Sequence, residues 1–257
     1  LLAKSKNKAS KALKILNGHT DFKYGIGKLQ TLDVFYKKNF AKMPVHIFIH
    51  GGYWRALDKS YHTHMALPFY NSNIVFFNLN YDLCPSVTLS DIKNQIIEAI
   101  VWIIKNGKKF NADINNIVLS GHSAGAHLVS LLMSHNWKDN DINVNIFKGA
   151  GLISGIYDTE LVLNLEINKE INLSDSEALK NNTLKITPIV KMPIILAYGD
   201  QEPKKWIQQT TNYRAWLKKN EYNTTLIKCN NSNHFSLIDS LAKKKNKIIE
   251  KLISYSK

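Results

Sequence analysis

At 257 residues and 44% hydrophobic content, the chain can bury one sizeable core, and it holds no run of about 18 apolar residues of the kind a membrane-spanning helix needs. The formal net charge of +14 rests almost wholly on lysine, with Arg55 and Arg214 the only arginines. These lysines gather at chain and helix ends rather than among aromatics, the pattern of a solvated surface, so neither nucleic acid nor a membrane is expected as a partner.

The predicted elements alternate along the chain. TLDVFY (31–36), VHIFI (45–49) and NIVFFNLN (73–80) read as strands rich in β-branched and aromatic residues. DIKNQIIEAIVWIIKN (91–106) carries apolar residues at helical spacing and stops at Gly107, a sensible C-cap. A strand NIVLS (116–120) precedes a helix from Ala124 to His135; GAGLIS (149–154) and PIILAY (193–198) are further strands. A helix around Lys205 to Lys219, a last strand TTLIKC (224–229) and one closing amphipathic helix from Ser236 complete the series. Such alternation predicts a single domain over 1–257 with a mostly parallel sheet covered on both faces. The polar stretch 157–191 interrupts it and is expected to form a partial cap.

Cys84 and Cys229 stand far apart in no metal or redox spacing, and the N-terminal stretch lacks the apolar core of a signal peptide, so a reducing cytoplasm is the expected location. His62 and His64 form an HTH pair with no third ligand at sensible spacing; strand-like alternation explains them, and neither metal nor cofactor is expected.

GHSAG (121–125) stands directly after a predicted strand and opens a helix, the context of a nucleophile elbow. A serine lifted on so sharp a turn needs neighbours with almost no side chain, which Gly121, Ala124 and Gly125 supply. Ser123 is therefore the expected nucleophile, and it requires a base and an orienting acid. Downstream, His127 and His135 lie within or at the end of the elbow helix. His234, in the loop after the last strand, can reach the top of the sheet and is the expected base. For the acid, AYGDQEP offers Asp200 and Glu202. The usual spacing of such hydrolases, an acid three residues after the glycine, selects Glu202 and leaves Asp200 as a turn residue and the alternative.

Acyl transfer also needs backbone donors for the oxyanion. One is the N–H of Ala124, after the nucleophile. Gly51 and Gly52 in HGGYW, following the strand VHIFI, supply the others, with His50 bracing the loop. Tyr53 and Trp54 are expected on the pocket wall, core packing being the alternative for Trp54.

HGGYWR, YDLCP (81–85), GHSAGAHL, SGIYD (154–158) and the NHF around His234 together resemble the kynurenine formamidase (arylformamidase) branch of the α/β-hydrolases, from about Tyr24 to the final helix. In relatives the acid's strand is often followed by Asp-x-x-Glu-Phe, whereas here Pro203, Lys204, Lys205 and Trp206 follow Glu202. The resemblance implies an α/β-hydrolase fold, a triad of Ser123, Glu202 and His234, an oxyanion hole of Gly51, Gly52 and Ala124, and metal-independent hydrolysis of N-formyl-L-kynurenine to L-kynurenine and formate. The small-molecule substrate is expected to meet Arg55 through its carboxylate and Tyr53, Trp54 and Tyr157 through its ring. A general carboxylesterase and a non-enzymatic binding protein on the same scaffold are the alternatives, and the sequence leaves room for a homodimer.

Overall fold

In a computed structural model, which describes residues 2–243 and 245–257, the apolar runs pair into one eight-stranded sheet. Its strands are β1 (Gly18–Lys23), β2 (Thr31–Phe35), β3 (Met43–Ile49), β4 (Val75–Leu79), β5 (Ala112–His122), β6 (Phe147–Ile153), β7 (Ile194–Gly199) and β8 (Thr224–Cys229). The spatial order is β1-β2-β4-β3-β5-β6-β7-β8. β2 runs antiparallel to both neighbours, and every pair from β4 through β8 is parallel. The helices are α1 (Leu2–Leu13), α2 (Ala66–Asn71), α3 (Leu89–Asn106), α4 (Ala124–Met133), α5 (Asn168–Ile171), α6 (Asp175–Lys180), α7 (Lys204–Lys219), α8 (His234–Leu241) and α9 (Lys247–Ser254).

Side chains of a strand alternate between faces, and the core divides accordingly. Val45, Ile47, Ile49, Val75 and Phe77 pack with α3, α4 and α7 on one face. Phe48, Phe76 and Phe35 pack with α1, α2, α8 and α9 on the other. All ten residues of α4 are buried, which explains why its sequence lacks a polar stripe. α3 begins at a capping box in which Thr88 and Asp91 satisfy each other's backbone N–H groups.

α3 ends at Asn106 with Gly107 as its C-cap, as the sequence predicts; Gly107 keeps a helical φ of −56°, a tight turn continues to Phe110, and Asn111 takes the left-handed position at φ 60°. Three local features differ from the sequence expectation. The closing helix is two helices, because Asn246 caps the N-terminus of α9 with its side chain. His62 and His64 lie in short 3-10 turns rather than a strand. β1 is an additional, mostly exposed edge strand, which lacks the apolar run a buried strand requires.

A buried lysine ties that edge to the loop after β3. Lys59 is 4% exposed, and its ammonium donates to Asp33 on β2 at 2.6 Å and Asp21 on β1 at 2.7 Å. Its backbone is held by the amides of Asn78 and Asn80 at the end of β4. Replacing one partner of such a pair strands the other charge. Lys59→Met is expected to cost about 3–5 kcal/mol, read as a lower urea midpoint, and adding Asp33→Asn should restore part of the loss.

Candidate active site

The carboxyl ends of β3 and β5 lie side by side, with Ile49 opposite Gly121, so the HGGYW loop and the GHSAG elbow emerge together. Ser123 has φ 57° and ψ −122°, a conformation that costs an ordinary residue on the order of 1–3 kcal/mol. Its N–H is held by the Ile153 carbonyl of β6 at 2.8 Å. The strain is tolerated because the two backbones are in contact. A β-carbon at Gly51 would lie 2.9 Å from that of Ser123, and one at Gly125 would lie 2.5 Å from the His50 carbonyl oxygen. Side chains there would force the nucleophile loop and the donor loop apart.

Beyond Gly51 the chain makes a left-handed turn. Gly52, Tyr53 and Trp54 have φ of 111°, 51° and 57°, and the Gly52 carbonyl accepts from the N–H groups of Arg55 and Ala56. Among the described residues, the N–H groups of Gly51, Gly52 and Ala124 have no hydrogen-bonded acceptor. The turn is braced from several sides. The His50 ring spans the Gly51 carbonyl and the Asn80 side chain, at 2.7 and 2.9 Å. Tyr81 stacks on His50 and donates to its carbonyl, and Cys84 N–H donates to the Trp54 carbonyl.

His234 begins α8, and its Nδ1 lies 3.5 Å from Glu202 Oε2. The other carboxylate oxygen of Glu202 accepts from the Ser154 hydroxyl at 2.5 Å and the Gly199 N–H at 2.9 Å. Asp200 faces elsewhere, towards Ser232 N–H and, at 3.9 Å, Lys228. Burial pushes the Glu202 carboxyl up, but the nearby His234 and the hydrogen bonds from Ser154 and Gly199 outweigh it and hold the group below the ordinary carboxylate value. His122, next to the nucleophile, is kept neutral by burial and by the neighbouring His234 and His62. Its Nε2 donates to the His234 carbonyl at 3.0 Å, fixing the start of α8.

Ser123, His122 and His234 open onto a cavity of about 780 Å³, within the size range of small-molecule sites. Tyr53, Leu57, Tyr61, Trp206 and Phe235 give it apolar walls, and Arg55, His62 and Asp239 add polar groups. Trp206 meets both Tyr53 and His234 edge to face and donates to the Ser154 carbonyl. Two expected wall residues do not reach it. Trp54 is fully buried against His127, because the left-handed turn sends it into the core. Tyr157 is fully buried and stacks on Tyr213 at 4.1 Å. None of residues 157–191 lines the cavity; the segment touches it indirectly, through an ion pair of Glu170 with Arg55 at 2.8 Å. Instead α1 supplies Ala3 and Ser5 to the wall.

Several of these residues escape sequence reasoning. Ser154 carries a weak signal, as the first residue of SGIYD after a strand, and Trp206 another, as a large aromatic in the first turn after the acid. Ala3, Ser5, Tyr61 and Asp239 carry none. Among the described residues, no group of three or more His, Cys, Asp or Glu side chains is gathered as metal ligands.

The depressed carboxyl of Glu202 makes a pH prediction. A lowered folded value stabilises the protein above the unfolded carboxyl pKa, and that stability is lost as pH falls through the folded value. The gap in urea midpoint between the native protein and Glu202→Gln should therefore be full above about pH 5 and shrink below about pH 4.

Comparison with known proteins gives the chain a family and a fold. The BD-FAE family model matches residues 32–165. A kynurenine formamidase of Salmo salar is 30% identical over 225 residues, covering 85% of this chain and 75% of that protein. One of Danio rerio is 27% identical over 239 residues, covering 91% and 80%. Among solved structures, a putative thioesterase from Silicibacter sp. tm1040 superposes with a TM-score of 0.84 at 22% identity, over 98% of this chain and 92% of that one. The fold is that of the α/β-hydrolases, and the chain belongs to their kynurenine formamidase family.

Proposed function

We propose that the protein is a serine hydrolase that cleaves N-formyl-L-kynurenine to L-kynurenine and formate. The observation that carries this reading is the meeting of Ser123 and His234 on one cavity walled by Tyr53, Trp206 and Phe235, in a chain related over most of its length to kynurenine formamidases. A flat aryl ring fits between such walls.

In the reaction, His234 takes the hydroxyl proton of Ser123 as Oγ attacks the formyl carbon. The tetrahedral oxyanion is held by the N–H groups of Gly51, Gly52 and Ala124. Each such donor contributes about 2.7–4 kcal/mol to the transition state. His234 then gives its proton to the aniline nitrogen, which leaves poorly as an anion, and the C–N bond breaks. Water, deprotonated by His234, attacks the formyl ester and releases formate and free Ser123. Glu202 orients the imidazole and stabilises its cationic form, while Ser154 and Gly199 hold Glu202. Arg55 pairs with the substrate carboxylate in exchange for the exposed Glu170. The free thiols Cys84 and Cys229 suit a cytoplasmic location. No helix among the described residues is long and apolar enough to cross a membrane.

The test compares kcat/KM for N-formyl-L-kynurenine and p-nitrophenyl acetate. The formamide should be the better substrate, and Ser123→Ala should remove turnover of both, a loss on the order of 10⁴–10⁶-fold. Ester cleavage with negligible formamide turnover would move the protein to the carboxylesterases. Failure to cleave either, with no covalent labelling of Ser123, would leave a binding protein.

A further inference from the structure

The charged side chains on the cavity wall are few and opposite in sign. Apart from histidines, Arg55 is the cation and Asp239 the anion among the described residues. Arg55 follows the donor loop in the chain. Asp239 lies on α8, five residues after His234, with a side chain only 13% exposed. Lys8 of α1 already meets this carboxylate at 2.9 Å, so its charge is paired, and what the cavity offers a ligand is its remaining acceptor positions.

We infer that Asp239 is a substrate-binding residue that receives the α-ammonium of an aryl amino acid, so that the cavity recognises a zwitterion, with Arg55 at its carboxylate. This deepens the proposed function and rests on it for the identity of the aryl amino acid. The carboxylate has room for the extra partner. Its Oδ1 accepts from the Ser5 hydroxyl at 2.8 Å and its Oδ2 from Lys8 Nζ at 2.9 Å, whereas an ionised carboxylate offers about four acceptor positions. Burial pushes the Asp239 carboxyl up, but the Lys8 and Ser5 hydrogen bonds and the Lys8 charge outweigh it, so the group is ionised at neutral pH. Lys8 is the more exposed partner, at 34%, and its like charge opposes an incoming ammonium. An ammonium that pairs with Asp239 despite Lys8 is what lets the wall tell an amino acid from the same aryl acid without its amine. Uniform burial of apolar area could not make that distinction.

The Lys8 contact also gives Asp239 a second role, clamping α1 against α8, and the experiment separates the two. Inhibition of p-nitrophenyl acetate hydrolysis is measured with L-kynurenine and with its desamino analogue, 4-(2-aminophenyl)-4-oxobutanoate. In the native protein L-kynurenine should bind the tighter of the two. Asp239→Asn should weaken L-kynurenine about tenfold and the desamino analogue much less, the size expected for a hydrogen bond to a charged group. Lys8→Ala breaks the same clamp but removes a competing cation, so it should tighten L-kynurenine or leave its inhibition constant where it was. Equal weakening of both inhibitors by Asp239→Asn would overturn the inference, as would equal weakening of L-kynurenine by Asp239→Asn and Lys8→Ala. Because the reporter is an ester, the result is independent of formamide turnover. Asp239-dependent inhibition without cleavage of N-formyl-L-kynurenine would sink the formamidase reading alone.

Discussion

The site depends on a backbone contact. Gly125 packs against the carbonyls of Ile49 and His50, and Gly51 packs against Ser123, so the turn that lifts the serine and the turn that offers amide donors share one surface. Parallel pairing of β3 with β5 makes this contact possible, because it brings both carboxyl ends to the same edge. The same edge then receives Ser154 after β6, Glu202 after β7 and His234 after β8, in the spatial order of those strands. A relay of three side chains widely separated in sequence becomes a row of neighbouring strand ends.

Around that contact lies a set of supports whose only chemistry is hydrogen bonding. Asn80 holds His50 and, through Asp58 and the Lys59 N–H, the loop beyond the donor turn. Ser154 and Gly199 fix one oxygen of Glu202 so that the other faces the base. His122 fixes the base from behind. Asn80, His50, Ser154, Glu202 and His122 are buried, where an unpaired polar atom is expensive. Burial converts modest individual bonds into a rigid frame, and a rigid frame suits a reaction that needs donors waiting at the oxyanion before it forms.

The sheet strands from β2 to β8 were legible because strands of a largely buried sheet concentrate β-branched and aromatic residues. The strand–turn–helix setting of the elbow was legible from its glycines, and of the two carboxylates that follow β7 it is Glu202 that lies beside His234, at 3.5 Å. Trp54 and Tyr157 were misread for a physical reason. Both follow motif residues closely enough to suggest the pocket, yet large aromatics next to a site serve equally well as its foundations. The direction of Trp54 is set by three successive positive φ angles, a conformation that local preference argues against for bulky residues. The role of α1 was invisible too, since its lysine-rich sequence reads as solvated surface, whereas in the fold it packs on the turns at residues 59–65 and reaches the cavity beside Asp239.

The left-handed turn at Gly52, Tyr53 and Trp54 has a consequence for how the family can diversify. It sends two adjacent aromatics in different directions, Tyr53 to the cavity and Trp54 to the core. Selection acting on position 53 can reshape what the enzyme accepts while position 54 keeps the scaffold intact. Substrate preference and folding are thereby uncoupled across a single peptide bond, and a lineage can explore new chemistry by changing one residue. The restriction is on the replacement's backbone rather than its size. β-branched residues tolerate the left-handed region poorly, so the accessible steps from Tyr53 run through unbranched and aromatic side chains.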